Sequence, residues 1–193
     1  MLTDAHPALL DRACSAVLVI DVQEAFHGYV PRFEQLADTI RLLLAGAQLL
    51  EVPIAASEQY PQGLGPAVGA IELPRDAPRL AKVEFAACAA PGWEELPPAV
   101  RDARQFVVTG IETHVCVRHT ALALLATGRE VHVCVDAVAS HTDLHRDTAL
   151  RSLEQAGARL TTVEQVLFDW LGGAGTPVFR QVQELLKAHT AAG

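Results

Sequence analysis

The chain has 193 residues and a formal net charge of −8, and half of its residues are hydrophobic. That length supplies one domain, residues 1–193, with a substantial core, and that hydrophobic share excludes a disordered chain. The acidic balance argues against a nucleic-acid or anionic-membrane surface, which needs a basic patch, and no apolar run reaches the length of a bilayer span.

Residues 1–15 read as a polar lead-in. They lack the basic and apolar regions of a secretory signal, so a cytoplasmic location is expected. The run AVLVI at 16–20 is a strand buried on both faces, and it ends at Asp21. Residues 33–50 carry one apolar face at helical spacing, and PIAAS at 53–57 is a second buried strand. A loop rich in Gly and Pro, residues 58–66, follows that strand. Residues 79–85 form a short third strand or extended segment with Lys82 between apolar neighbours. Residues 93–103 read as a helix broken or restarted at Pro97 and Pro98.

Next comes FVVT at 106–109, a fourth buried strand, and directly after it GIETHVCV at 110–117. This stretch turns into a helix that Gly128 ends. Thr113 is the expected N-cap, and Cys116 falls in the first helical turn. A thiol there feels the positive end of the helix dipole, which favours its thiolate, and the free amides of the turn can bind a developing oxyanion. VHVCV at 131–135 is strand five, with Asp136 at its end as Asp21 ends strand one. A helix at 144–156, a strand at 159–163, a short helix at 164–171 and a last helix from Thr176 and Pro177 complete the chain.

Six strands alternating with helices predict a three-layer α/β/α fold with a six-stranded parallel sheet, Rossmann-like in layout. No G-x-G-x-x-G follows strand one and no Walker A motif is present, so no nucleotide cofactor is expected. The four cysteines, Cys14, Cys88, Cys116 and Cys134, stand far apart without a C-x-x-C pair, which suggests neither a zinc site nor a disulfide framework.

Asp21-Val22-Gln23 after strand one, Lys82 at strand three and G-I-x-T-x-x-C-V at 110–117 occur in the order found in the isochorismatase-like cysteine hydrolases. The chain resembles that family from about residue 16 to the last helix, and its 58–66 loop is closest to the isochorismatase domain-containing subgroup. The resemblance implies a triad in which Cys116 is the nucleophile, Asp21 takes the thiol proton and later activates water, and Lys82 holds the charged pair. It also implies a cis peptide between Ile111 and Glu112, which would aim the amides of Glu112 and Cys116 at one oxyanion. Gln23, Phe26, Tyr60 and Phe85 are candidates for the substrate pocket. Nicotinamidases of the family carry an Asp/His metal cluster after strand two; residues 57–61 here read SEQYP, without histidine, so no catalytic metal is expected.

The implied function is hydrolysis of a C–N or similar bond in a small molecule through a covalent Cys116 adduct. Vinyl ether hydrolysis as in isochorismatase, which does not require the thiol, is the alternative, followed by a non-catalytic interaction protein that keeps the fold. His114, two residues before Cys116, should point away from it; His119, three residues after, could reach it or face a partner subunit. The family and the apolar fraction imply a homo-oligomer with a small-molecule substrate and no nucleic-acid or membrane partner.

Overall fold

A computed structural model of the protein describes His6 and residues 8–192; residues 1–5 and 7 of the expected polar lead-in lie outside the described residues. Six strands build one sheet: β1 (Ser15–Ile20), β2 (Ile54–Gln59), β3 (Arg79–Lys82), β4 (Gln105–Ile111), β5 (Glu130–Ala139) and β6 (Arg159–Thr161). Their spatial order is β3-β2-β1-β4-β5-β6, and every pairing is parallel. Strand order therefore reverses between β1 and β4. In open parallel sheets, ligands bind at the carboxyl ends of the strands beside such a reversal.

Apolar alternation divides the strands between two cores. Val17, Val19, Ile54, Ala56 and Val107 face α1 (Phe33–Leu49), α6 (Val163–Leu171) and α7 (Pro177–Ala192). Ala16, Leu18, Ile20, Phe106, Val108 and Val133 face the opposite layer, built from α4 (Arg118–Ala126) and α5 (Asp143–Gln155) with Trp93. Two remaining helices, α2 (Pro61–Leu64) and α3 (Pro98–Arg101), are single turns. The three-layer α/β/α architecture matches the expected one. Among the described residues, no helix is long and apolar enough to cross a membrane.

Several boundaries differ from those expected. Residues 93–103 hold only a tight turn at Pro91–Glu95 and the short α3, because Pro97 and Pro98 remove amides that a continuous helix needs. Strand β5 runs on to Ala139, with a register shift against β4 between Val108 and Gly110. Asp136 is thus inside β5 and not at its end. Its carboxylate accepts from the Val163 amide at 3.1 Å, which anchors the start of α6.

Gly110 lets β4 approach β1 at the reversal. Its φ is +110°, and a Cβ there would stand 2.0 Å from the Ile20 carbonyl oxygen. Both atoms belong to backbone fixed in the sheet, so neither can yield. Gly110→Ala is expected to lower the unfolding free energy by at least about 2 kcal/mol. A urea unfolding curve with an unchanged midpoint would contradict this.

Candidate active site

Because β1, β2, β3 and β4 are parallel, the residues that end them meet at one edge of the sheet. Asp21 follows β1 with φ +52°, a left-handed conformation that Asp tolerates better than most side chains. Its amide donates to the Ser57 carbonyl at 3.1 Å. Lys82 closes β3. Its Nζ donates to Asp21 Oδ2 at 2.7 Å, and neither side chain has any exposed surface. The other two ammonium donors go to Gln59 Oε1 at 2.5 Å and the Glu84 carbonyl at 3.3 Å, so all three are used. The second Asp21 oxygen accepts from Ser57 Oγ at 2.7 Å. A buried ion pair persists only when its remaining donors and acceptors are met in this way.

Cys116 enters from the other side of the reversal. The peptide between Ile111 and Glu112 is cis, and Thr113–Val117 forms a wide π-type turn that runs into α4. Thr113 does not cap this turn. Its hydroxyl is buried without a partner, because a π turn displaces the amides that an α-helical first turn would offer. The Cys116 sulfur is 3.7 Å from Gln59 Oε1, the same oxygen that accepts from Lys82, and the charges of Asp21 and Lys82 both act on the thiol. Asp21, Lys82 and Cys116 are therefore brought together.

The thiol is less acidic than its helix-terminal position suggests. Burial is the largest cause, the Asp21 charge adds to it, and Lys82 opposes both; the thiol pKa is pushed up to about 12. Desolvation outweighs the end of the dipole, which contributes only about 1 kcal/mol. With its pKa raised this far, Cys116 is a neutral thiol at neutral pH.

The pocket candidates fare differently. Gln23 is fully buried and does not face a substrate. Its amide nitrogen donates to the carbonyls of Gln59 (3.0 Å) and Gly65 (2.6 Å), and its oxygen accepts from the Gln59 amide at 2.8 Å. It clamps the end of β2 to the loop beyond. Phe26 is half-buried against the α1-side core. Tyr60 and Phe85 are exposed, as is Val83, and these three follow β2 and β3 directly. The Phe85 ring lies 5.3 Å from that of His119. His119 Nδ1 is 2.7 Å from the Val115 carbonyl oxygen, back along its own helix. A cleft of 420 Å³ between α1, β5 and α7 contains none of Asp21, Lys82 and Cys116.

Two residues beyond those expected belong to the site. Gln59 joins Lys82 to Cys116 through one oxygen, and its amide nitrogen donates to the Val83 carbonyl at 2.8 Å. Ser57 holds Asp21. Both lie on β2 at 57–59, and only the pairing of Gln59 with Lys82 across β2 and β3 reveals their place.

The model of the isochorismatase domain family matches residues 15–165. Isochorismatase domain-containing protein 2 of Xenopus laevis is 37% identical over 177 residues, covering 92% of this chain and 85% of the relative. The secreted isochorismatase effector Isc1 of Phytophthora sojae is 35% identical over 179 residues, covering 91% and 85%. Among solved structures, the MAR1 ribonuclease of Caenorhabditis elegans superposes with a TM-score of 0.86 at 37% identity, covering 93% of each chain.

Proposed function

The chain belongs to the isochorismatase family, and we propose that it is a cysteine hydrolase that cleaves the C–N bond of a small amide through a covalent adduct on Cys116. The observation that carries this reading is the buried Asp21–Lys82 pair at 2.7 Å, linked to the Cys116 sulfur through the shared Gln59 oxygen. A structural cysteine has no use for two desolvated charges beside it.

The chemistry follows from the arrangement. Asp21 takes the proton from Sγ as the sulfur attacks the amide carbon, so the thiolate forms only where it is consumed. The backbone amides of Glu112 and Cys116 receive the oxyanion. When the tetrahedral intermediate collapses, the C–N bond breaks and Asp21 returns the proton to the departing nitrogen. Water then gives a proton to Asp21 and attacks the thioester; the acid leaves and the thiol regains its proton. Lys82 holds Asp21 in place throughout, through the contact at 2.7 Å. Gln59 holds Lys82 against it and marks where the thiol proton starts.

A second reading has one observation in its favour. A thiol pushed up to about 12 is a reluctant nucleophile, and vinyl ether hydrolysis would use Asp21 as the proton carrier without it. The Phytophthora sojae relative carries the name isochorismatase. A nuclease reading, suggested by the description of the Caenorhabditis elegans neighbour, is disfavoured. A polyanion needs cationic surface, whereas this chain carries −8 and its central lysine is already paired.

Turnover of a panel of small primary amides and of isochorismate by wild type and Cys116→Ala separates the readings. The amidase reading expects release of ammonia, an acylated Cys116 in the intact mass, and a loss of at least about a thousandfold in Cys116→Ala. Isochorismate turnover that survives Cys116→Ala, with no amide cleaved, would establish the second reading.

A further inference from the structure

On the far side of the π turn from the Cys116 sulfur lies a second group of chemistry-bearing side chains. Glu112 follows the cis bond, and its side chain is only 10% exposed. His141, in the connection from β5 to α5, places Nδ1 at 3.1 Å and 3.2 Å from the two carboxylate oxygens. His114 Nδ1 is 3.6 Å from Glu112 Oε2. Ligating atoms of all three residues lie within 4.8 Å of one another.

This spacing has a particular size. Nitrogen and oxygen ligands bound about 2.0–2.1 Å from a tetrahedral zinc ion stand roughly 3.3 Å from each other. Glu112 Oε2 stands 3.2 Å from His141 Nδ1 and 3.6 Å from His114 Nδ1, on either side of that value, and the ligating atoms of all three residues lie within 4.8 Å of one another. Two strand ends of the rigid sheet deliver the ligands, and aromatic neighbours limit their rotamers. The His145 ring stacks on His114 with centroids 4.6 Å apart and planes at 15°, and Tyr29 stacks on His141 at 5.4 Å and 30°. The two imidazole side chains are 24% and 29% exposed, which leaves a path from solvent.

We propose that Glu112, His114 and His141 form a binding site for a divalent first-row transition ion, with Zn²⁺ as the first candidate. Two imidazoles and one carboxylate are a donor set that suits such ions, and three protein ligands leave the fourth position open. Binding would take His114 Nδ1 from its present contact with Ser140 Oγ at 3.0 Å. The site is separate from the thiol centre: Cys116 turns its sulfur to Gln59, whereas His114, two residues earlier, turns to Ser140. The carboxylate that would hold the ion belongs to the residue whose amide we assign to the oxyanion, so the ion would brace the turn from behind. The site itself does not depend on the amidase reading.

The test uses the full chain, stripped with a chelator and dialysed. Zn²⁺ is titrated by calorimetry, and Co²⁺ is followed by its visible absorption as a report on coordination. We expect one equivalent of Zn²⁺, with affinity at least about tenfold lower in His141→Ala and in His114→Ala, since even groups behind the ligands change affinity by 10–100-fold. The Co²⁺ band should disappear in both variants and persist in Cys116→Ser. Circular dichroism confirms that each variant is folded; His141, the more exposed of the two, is the safer. Failure of wild type to bind saturably would overturn the proposal, as would binding that survives both histidine variants or that depends on Cys116.

Discussion

Lys82→Met is expected to destabilise the protein by about 3–5 kcal/mol, the cost of leaving one member of a buried ion pair alone. Methionine keeps the length of the lysine stem but no donor. Asp21 would keep Ser57 Oγ and lose the cation, in a place with no exposed surface. Its carboxylate would be an unpaired buried charge, no longer held in place for Cys116. Stability and reactivity should therefore fall together. Denaturant unfolding measures the first, and the double variant Asp21→Asn/Lys82→Met supplies the control. With both charges gone, part of the lost stability should return. A single variant as stable as wild type would mean that the pair does not hold the site.

Asp21→Asn should be the most damaging conservative change for turnover. Asparagine has nearly the same shape and can still accept from Lys82, which also keeps Gln59 Oε1 and the Glu84 carbonyl as acceptors, so the loss of stability should be smaller than in Lys82→Met and the fold should persist. It cannot take a proton, and general-base catalysis of this kind is worth roughly 10²–10⁴-fold in rate. Kinetics on whichever substrate the wild type turns over should show the fall in kcat with a smaller change in KM. A fall in KM affinity alone would make Asp21 a binding residue. Both readings of the reaction route a proton through Asp21, so this expectation does not depend on the bond cleaved.

The site was legible in the sequence where a residue's role follows from its place at a strand end. Asp21 after AVLVI and Cys116 after a buried strand are of this kind, and the order of Asp21, Lys82 and Cys116 carries the rest. Lys82 was harder, because one lysine in an extended segment gives no sign that its charge is buried. Gln59 and Ser57 were not legible. Their roles depend on β2–β3 register, which brings Gln59 level with Lys82, and no local pattern encodes that pairing. Gln23, a candidate for the substrate pocket, has its whole amide consumed by Gln59 and Gly65, contacts made only once the 58–66 loop has folded back. Thr113 has the right identity for an N-cap, but the turn it starts is of π type. The thiol's acidity went the other way from the helix-terminus argument, because burial is a tertiary property. Likewise Glu112 and His141 are 29 positions apart and meet only through the extended end of β5.

The central claim, that Asp21 takes the proton of Cys116, has a test that depends on sign and needs no substrate. It is the rate of Cys116 alkylation by iodoacetamide in wild type and Asp21→Asn, read by peptide mass at neutral pH. Electrostatics alone makes Asp21 an obstacle: its charge raises the thiol pKa, so removing it should bring the thiol down and speed alkylation. If Asp21 is the base, the neutral thiol loses its proton acceptor and Asp21→Asn alkylates more slowly than wild type. The account predicts the slower rate. A folded Asp21→Asn protein whose Cys116 reacts faster than wild type would contradict it.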